Sequence, residues 1–142
     1  MDNSKISSSL RSAISLLHKR LRKHMYSTES YSITEITTLG RLYRDGQLLP
    51  SELAAMAKVK TQSMSQILKK MESQDVIVRV PCETDKRKTF ISLTDSGRKL
   101  VEQTRYERDE WLTNAIRKNL TREERRMLTK AIEIIQKLAE TE

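Results

Sequence analysis

Two clusters of side chains in this 142-residue chain have the types and spacing to contact a polyanion. The first is Gln62, Ser65, Gln66, Lys69 and Lys70; the second is Lys86, Arg87 and Lys88, with Asp85 at its start. A glutamine amide offers a donor and an acceptor together, which matches the pair that adenine shows in the major groove. Lysine grips phosphate, and an arginine on a stiff ribbon can enter a narrow minor groove, where negative potential concentrates. Each cluster has a plainer alternative. The first could be the solvated face of any amphipathic helix, and the second a lysine-rich hairpin guarding a sheet edge against aggregation.

The elements that must carry these residues favour the first reading. Met64, Ile67, Leu68 and Met71 recur at i, i+3, i+4 and i+7, which predicts a helix over 61–74 with one buried face. At about 100° per residue, Gln62, Gln66, Lys69 and Ser73 point away from that face, and Ser65 and Lys70 flank these four. Ahead of it, Pro50 at a first helical position and Glu52 in the first turn open a short apolar helix through Leu53, Ala54, Met56 and Ala57. A break at Lys58-Val59-Lys60 separates the two. Behind it, the β-branched run Val76 to Val80, the turn residues Pro81 to Lys86, and an alternating run ending at Thr94 predict an antiparallel hairpin. Short helix, break, Gln/Ser/Lys-faced helix and basic hairpin, in that order, form the pattern of a winged helix-turn-helix.

Flanking helices complete the chain. A first helix is expected from about Lys5 to about Tyr26 through Ile6, Leu10, Ile14, Leu17, Leu21 and Met25, with a basic end at His18, Lys19, Arg20, Arg22 and Lys23. Ser32 with Glu35 forms a capping box for a second helix through Leu39, Leu42 and Tyr43, closed by Asp45-Gly46; Gln47 to Leu49 reads as a short extended link. Thr94 can cap a fifth helix over 95–119, through Leu100, Val101, Trp111, Leu112 and Ile116. Thr121 and Glu124 open a sixth, whose wide apolar arc includes Met127, Leu128, Ala131, Ile132, Ile134, Ile135 and Leu138. The expected fold is therefore mainly α, about six helices with a small β-hairpin wing. Residues 32–93 would form the DNA-binding lobe, and 1–31 with 94–142 a helical region pairing with another copy in a C2 dimer. A monomer with an intramolecular helical core is the alternative.

Composition agrees with one compact domain and a polyanionic partner. Hydrophobic residues make up 37%, and 27 Lys and Arg against 19 Asp and Glu give a net charge of +8. No apolar run approaches the roughly 18–20 residues of a membrane span, and Met1-Asp2-Asn3-Ser4 lacks a signal peptide's features, so a cytoplasmic location is expected. Cys82 is the sole cysteine, which excludes an internal disulfide; His18 and His24 do not have ligand-pair spacing, so neither metal nor cofactor is expected. A phosphate-cradling glycine loop, a nucleophile motif and a metal-ligand cluster are all missing, which argues against an enzyme. A thiol-sensing role for Cys82 would depend on Arg79 lowering its pKa against Glu83 raising it.

With these residues in place, the chain resembles the MarR family of winged helix-turn-helix transcriptional regulators over nearly its full length. That family's wing signature is Asp-x-Arg, five variable residues, Leu-Thr and commonly a glycine three residues on; here it is Asp85, Arg87, Leu93-Thr94 and Gly97. Leu49-Pro50-Ser51-Glu52-Leu53-Ala54 resembles the first helix-turn-helix element. Two departures are Asp75, where glycine often ends the recognition helix, and Lys60, where a Ser or Thr cap is usual, leaving Thr61 as a candidate cap.

The resemblance implies a homodimeric, sequence-specific DNA-binding transcriptional regulator. It would be a repressor of a pseudo-palindromic operator with half-sites roughly 34–36 Å apart, released by a small aromatic or anionic effector. Each recognition helix would enter a major groove and each Arg87 a minor groove, with Lys86 and Lys88 on phosphates and Asp85 shaping the wing; the alternative for Asp85 is a plain turn aspartate. Tyr26, Tyr31 and Tyr43, with the basic end of the first helix, are candidates for an effector pocket; the alternative is core or surface tyrosines. A competing function is a winged-helix protein-interaction adaptor without specific DNA binding, whose recognition face would be neutral or acidic.

Overall fold

The computed structural model describes residues 1–24 and 30–142 and divides into two compact units, Met25–Glu107 and Met1–His24 with Arg108–Glu142. The chain runs α1 (Asn3–Lys23), α2 (Ile33–Asp45), β1 (Gln47–Leu48), α3 (Pro50–Ala57), α4 (Thr61–Ser73), β2 (Ile77–Pro81), β3 (Thr89–Leu93), α5 (Asp95–Asn119) and α6 (Arg122–Ala139).

In the first unit the helices pack on a three-stranded antiparallel sheet of order β1-β3-β2. The sequence predicts only a hairpin with an extended link before α3. That link pairs with β3, Gln47 opposite Ser92 and Leu48 opposite Ile91, because two residues are too short for alternation to announce a strand. In the hairpin, Arg79 lies opposite Ile91, Val80 opposite Phe90 and Pro81 opposite Thr89. Pro81, expected in the turn, thus ends a strand instead; β2 is an edge strand, where a missing N–H is tolerated. The core gathers Leu39 and Leu42 of α2, Leu53 and Ala54 of α3, Met64, Leu68 and Met71 of α4, Val76, Ile77, Ile91, and Val101 of α5. Hydrophobic burial of that set fixes the depth of each helix.

Caps fix where these elements start and stop. Ser32 Oγ accepts from Glu35 N–H at 3.2 Å and Glu35 Oε2 accepts from Ser32 N–H at 3.4 Å, closing the predicted box on α2. Pro50 starts α3, and Leu49 N–H donates to Glu52 Oε1 at 2.9 Å. The residue ahead of α4 is Lys60, with no side-chain cap bond; Thr61 lies inside the helix and does not cap it. Helix α4 ends at Ser73, one residue earlier than its pattern suggests. Lys58 and Asp75, at φ 56° and 60°, make the left-handed turns on either side of it. Thr94 is a junction: its Oγ1 donates to Asp75 C=O at 2.6 Å and accepts from Gly97 N–H at 3.0 Å.

In the second unit, Asp2 accepts from Lys5 N–H at 2.8 Å, so α1 starts two residues earlier than its apolar stripe indicates. Its expected last turn, with Met25 and Tyr26, lies outside the described residues. Thr121 and Glu124 close the predicted capping box on α6. His24 stacks on Trp111 with ring centroids 4.8 Å apart. Neither α1 nor α6 buries a residue, and Ile14, Leu16, Leu17, Met127, Ile132, Ile134 and Leu138 are all exposed. No helix among the described residues is long and apolar enough to cross a membrane.

Candidate nucleic-acid interface

Helix α4 presents Gln62, Ser65, Gln66, Lys69 and Ser73 to solvent, opposite Met64, Leu68 and Met71. Ser73 turns its hydroxyl back, donating to Lys70 C=O at 2.6 Å. Lys70 is exposed along its stem, but its Nζ donates to Glu35 Oε1 at 2.8 Å. The sequence placed Lys70 with the phosphate-facing residues and left Glu35 as a cap. Glu35 in fact heads the buried stripe of α2, its side chain 5% exposed. A buried charge needs a partner at short range, and Lys70 is that partner.

The wing tip carries Lys86, Arg87 and Lys88, all exposed, in the same compact unit as α4. Asp85 Oδ1 accepts from Arg87 N–H at 3.0 Å and from its Nε at 3.2 Å. These bonds, the backbone one first, hold the Asp85 carboxyl below its ordinary pKa, and Lys88 adds to the effect. Asp85 C=O accepts from Lys88 N–H, and Lys88 C=O from Cys82 N–H, each at 3.0 Å, so the turn is closed by its own backbone. Arg87 keeps its side chain 91% exposed despite the contact with Asp85, leaving the guanidinium free at its outer edge.

Below the tip, Arg79 does not serve Cys82. Its Nε lies 3.3 Å from Glu72 Oε2, tying β2 to α4. The thiol of Cys82 is lowered instead by its hydrogen bond with Thr84 at 3.3 Å and then by the backbone at Asp85 and Thr84, so neighbours along the turn replace the charges the sequence suggests. Charge spacing along a strand could not have revealed this, because Arg79 is drawn away by a residue seven positions earlier.

The tyrosines divide. Tyr26 lies outside the described residues. Tyr31 is partly buried against the core, and burial, with Glu35 adding to it, raises its pKa above the ordinary value. Tyr43 donates to Glu102 Oε1 at 3.2 Å, and the guanidiniums of Arg105 and Arg98 lie 4.4 and 5.7 Å from its ring centroid. Those arginines were not singled out from sequence; their spacing of seven along α5 was the available signal. No cluster of His, Cys, Asp and Glu suited to a metal occurs among the described residues.

Comparison with known proteins gives concordant results. A sequence model described as "MarR family" matches residues 31–88. An HTH-type transcriptional regulator of Mycobacterium bovis, itself uncharacterized, is 28% identical over 133 residues, covering 94% of this chain and 92% of that one. Among solved structures, a protein of Pseudomonas aeruginosa described as a transcriptional regulator superposes with a TM-score of 0.87 at 30% identity, covering 99% of this chain and 98% of its own. A mutant of S. aureus MepR bound to an oligodeoxyribonucleotide gives 0.69 at 28% identity, covering 93% and 97%.

Proposed function

We propose, from the premise that this chain belongs to the MarR family of HTH-type transcriptional regulators, that it binds operator DNA in a sequence-specific way and acts as a homodimeric repressor. One observation carries the reading. A single compact unit exposes both the Gln62, Ser65, Gln66 and Lys69 face of α4 and the Lys86-Arg87-Lys88 tip of the hairpin. The helix has the donors and acceptors to read base edges in a major groove, and the tip has the cation to enter a flanking minor groove. The relative that was solved with an oligodeoxyribonucleotide supports the same assignment. An adaptor that had lost DNA binding would have no reason to keep this cationic, amide-rich surface.

Dimerisation is supported by the apolar residues that α1 and α6 leave exposed on a single chain. Release by a small aromatic or anionic effector is the remaining part of the proposal. The Tyr43 ring with Arg98 and Arg105 over it, and the partly buried Tyr31, have suitable chemistry for such a ligand.

Pulldown from the native genome followed by a salt series tests the DNA-binding reading. The wild-type chain should enrich a discrete sequence, and Arg87→Ala should weaken binding to it and reduce the slope of log K against log salt by about 1. Enrichment of no sequence would establish the adaptor, and an unchanged slope would remove Arg87 from the contact.

A further inference from the structure

We infer that Glu35 is a positioning residue for the recognition helix, and that Lys70 is its counterpart in that role rather than a phosphate contact; this rests on the DNA-binding reading above. Both carboxylate oxygens of Glu35 are used, Oε1 by Lys70 Nζ at 2.8 Å and Oε2 by the Ser32 amide at 3.4 Å. The Glu35 side chain is 5% exposed, so its charge cannot turn to water if Lys70 leaves. Lys70 is therefore held inward, toward α2, and away from a ligand docked on the outer face of α4.

The consequence is rotational. The apolar face of α4 is Met64, Leu68 and Met71 with half-buried Ile67 at its edge, and two of these four are methionines, which adapt to shifted neighbours, so this face fixes the depth of the helix better than its roll about its own axis. At about 100° per residue, Lys70 and Glu72 sit on opposite shoulders of that face. Each makes an ion pair, Lys70 with Glu35 of α2 and Glu72 with Arg79 of β2 at 3.3 Å. Paired from both shoulders, the helix stretches one of the two contacts whichever way it rolls. Roll decides where Gln62 and Gln66 point, so Glu35 sets sequence selectivity without touching DNA.

The test uses the full chain and two duplexes: one enriched by the wild type from a random-sequence library, and its scrambled counterpart. Lys70→Gln should lose about tenfold on the enriched duplex, comparable to one mismatched base pair, with the scrambled duplex and the salt slope unchanged. Lys69→Gln should weaken both and reduce the slope by about 1. Glu35→Gln keeps a residue able to close the α2 capping box and removes a negative charge. Field effects alone would tighten its binding to both duplexes, whereas positioning predicts loss on the enriched one only. The double variant Glu35→Gln/Lys70→Gln strands no charge and so remains testable if a single variant unfolds; it should lose no more than either single.

Three results overturn the inference: a slope reduced by Lys70→Gln as much as by Lys69→Gln, tighter binding of both duplexes by Glu35→Gln, or equal losses on both duplexes from a merely loosened lobe. A wild-type chain that enriches no duplex overturns the DNA-binding reading, and this inference with it.

Discussion

Asp85 Oδ1 takes two hydrogen bonds from one residue, the amide and the Nε of Arg87, and this sets how the wing responds to acid. The carboxyl is held below its ordinary value, so whatever order it lends the tip is present above the ordinary aspartate pKa of about 3.9 and is lost only as pH falls through the depressed folded value. We expect the Arg87 amide resonance to keep its hydrogen-bonded shift below that pH in an NMR titration; a midpoint at the ordinary value would mean the bond is absent in solution. Asp-x-Arg spacing was legible in the sequence, and so was the candidate role of Asp85 in the turn. Glu35 was legible only as a cap, since a capping box says nothing about burial. Its partnership with Lys70 joins residues 35 positions apart, which local pattern cannot reveal.

Elements were legible wherever a cap or a period marked them, and less so where tertiary contact decides. The caps at Ser32 and Thr121 and the helix start at Pro50 fall where the sequence puts them. Strand β1 was missed because only its pairing with β3 makes it a strand. Gly97 shows the same limit: its place in the first turn of α5 was evident, but its reason was not. A Cβ there would meet Val76 O at 2.0 Å, and that carbonyl cannot retreat freely because it accepts from Thr94 N–H at 3.2 Å. Gly97→Ala should therefore destabilise the fold by about 1–3 kcal/mol, as overpacking does. Gly40, inside α2 with nothing within 4 Å of its Cβ position, is the control. Gly40→Ala should stabilise by about 0.5–1 kcal/mol through lower unfolded-state entropy. Urea midpoints of the two variants moving in the same direction would contradict the contrast.

For the whole molecule, the exposed apolar residues of α1 and α6 are the feature a single chain leaves unexplained. Ile132 is 48% exposed and Ile135 36%, along a helix with no buried residue. On the dimer proposal, Ile132→Lys places a charge in a desolvated interface and should shift the chain to monomer in sedimentation velocity, with operator binding lost alongside. A variant that sediments like the wild type would place the interface elsewhere. The left-handed residues on either side of α4 matter in a different way. Lys58 and Asp75 carry side chains where glycine would be easier, at φ 56° and 60°. A side chain at such a junction narrows the conformations the backbone can visit, at some local strain. On the proposed reading, the helix that meets DNA is then already ordered before contact, so little of the free energy of docking goes into freezing it.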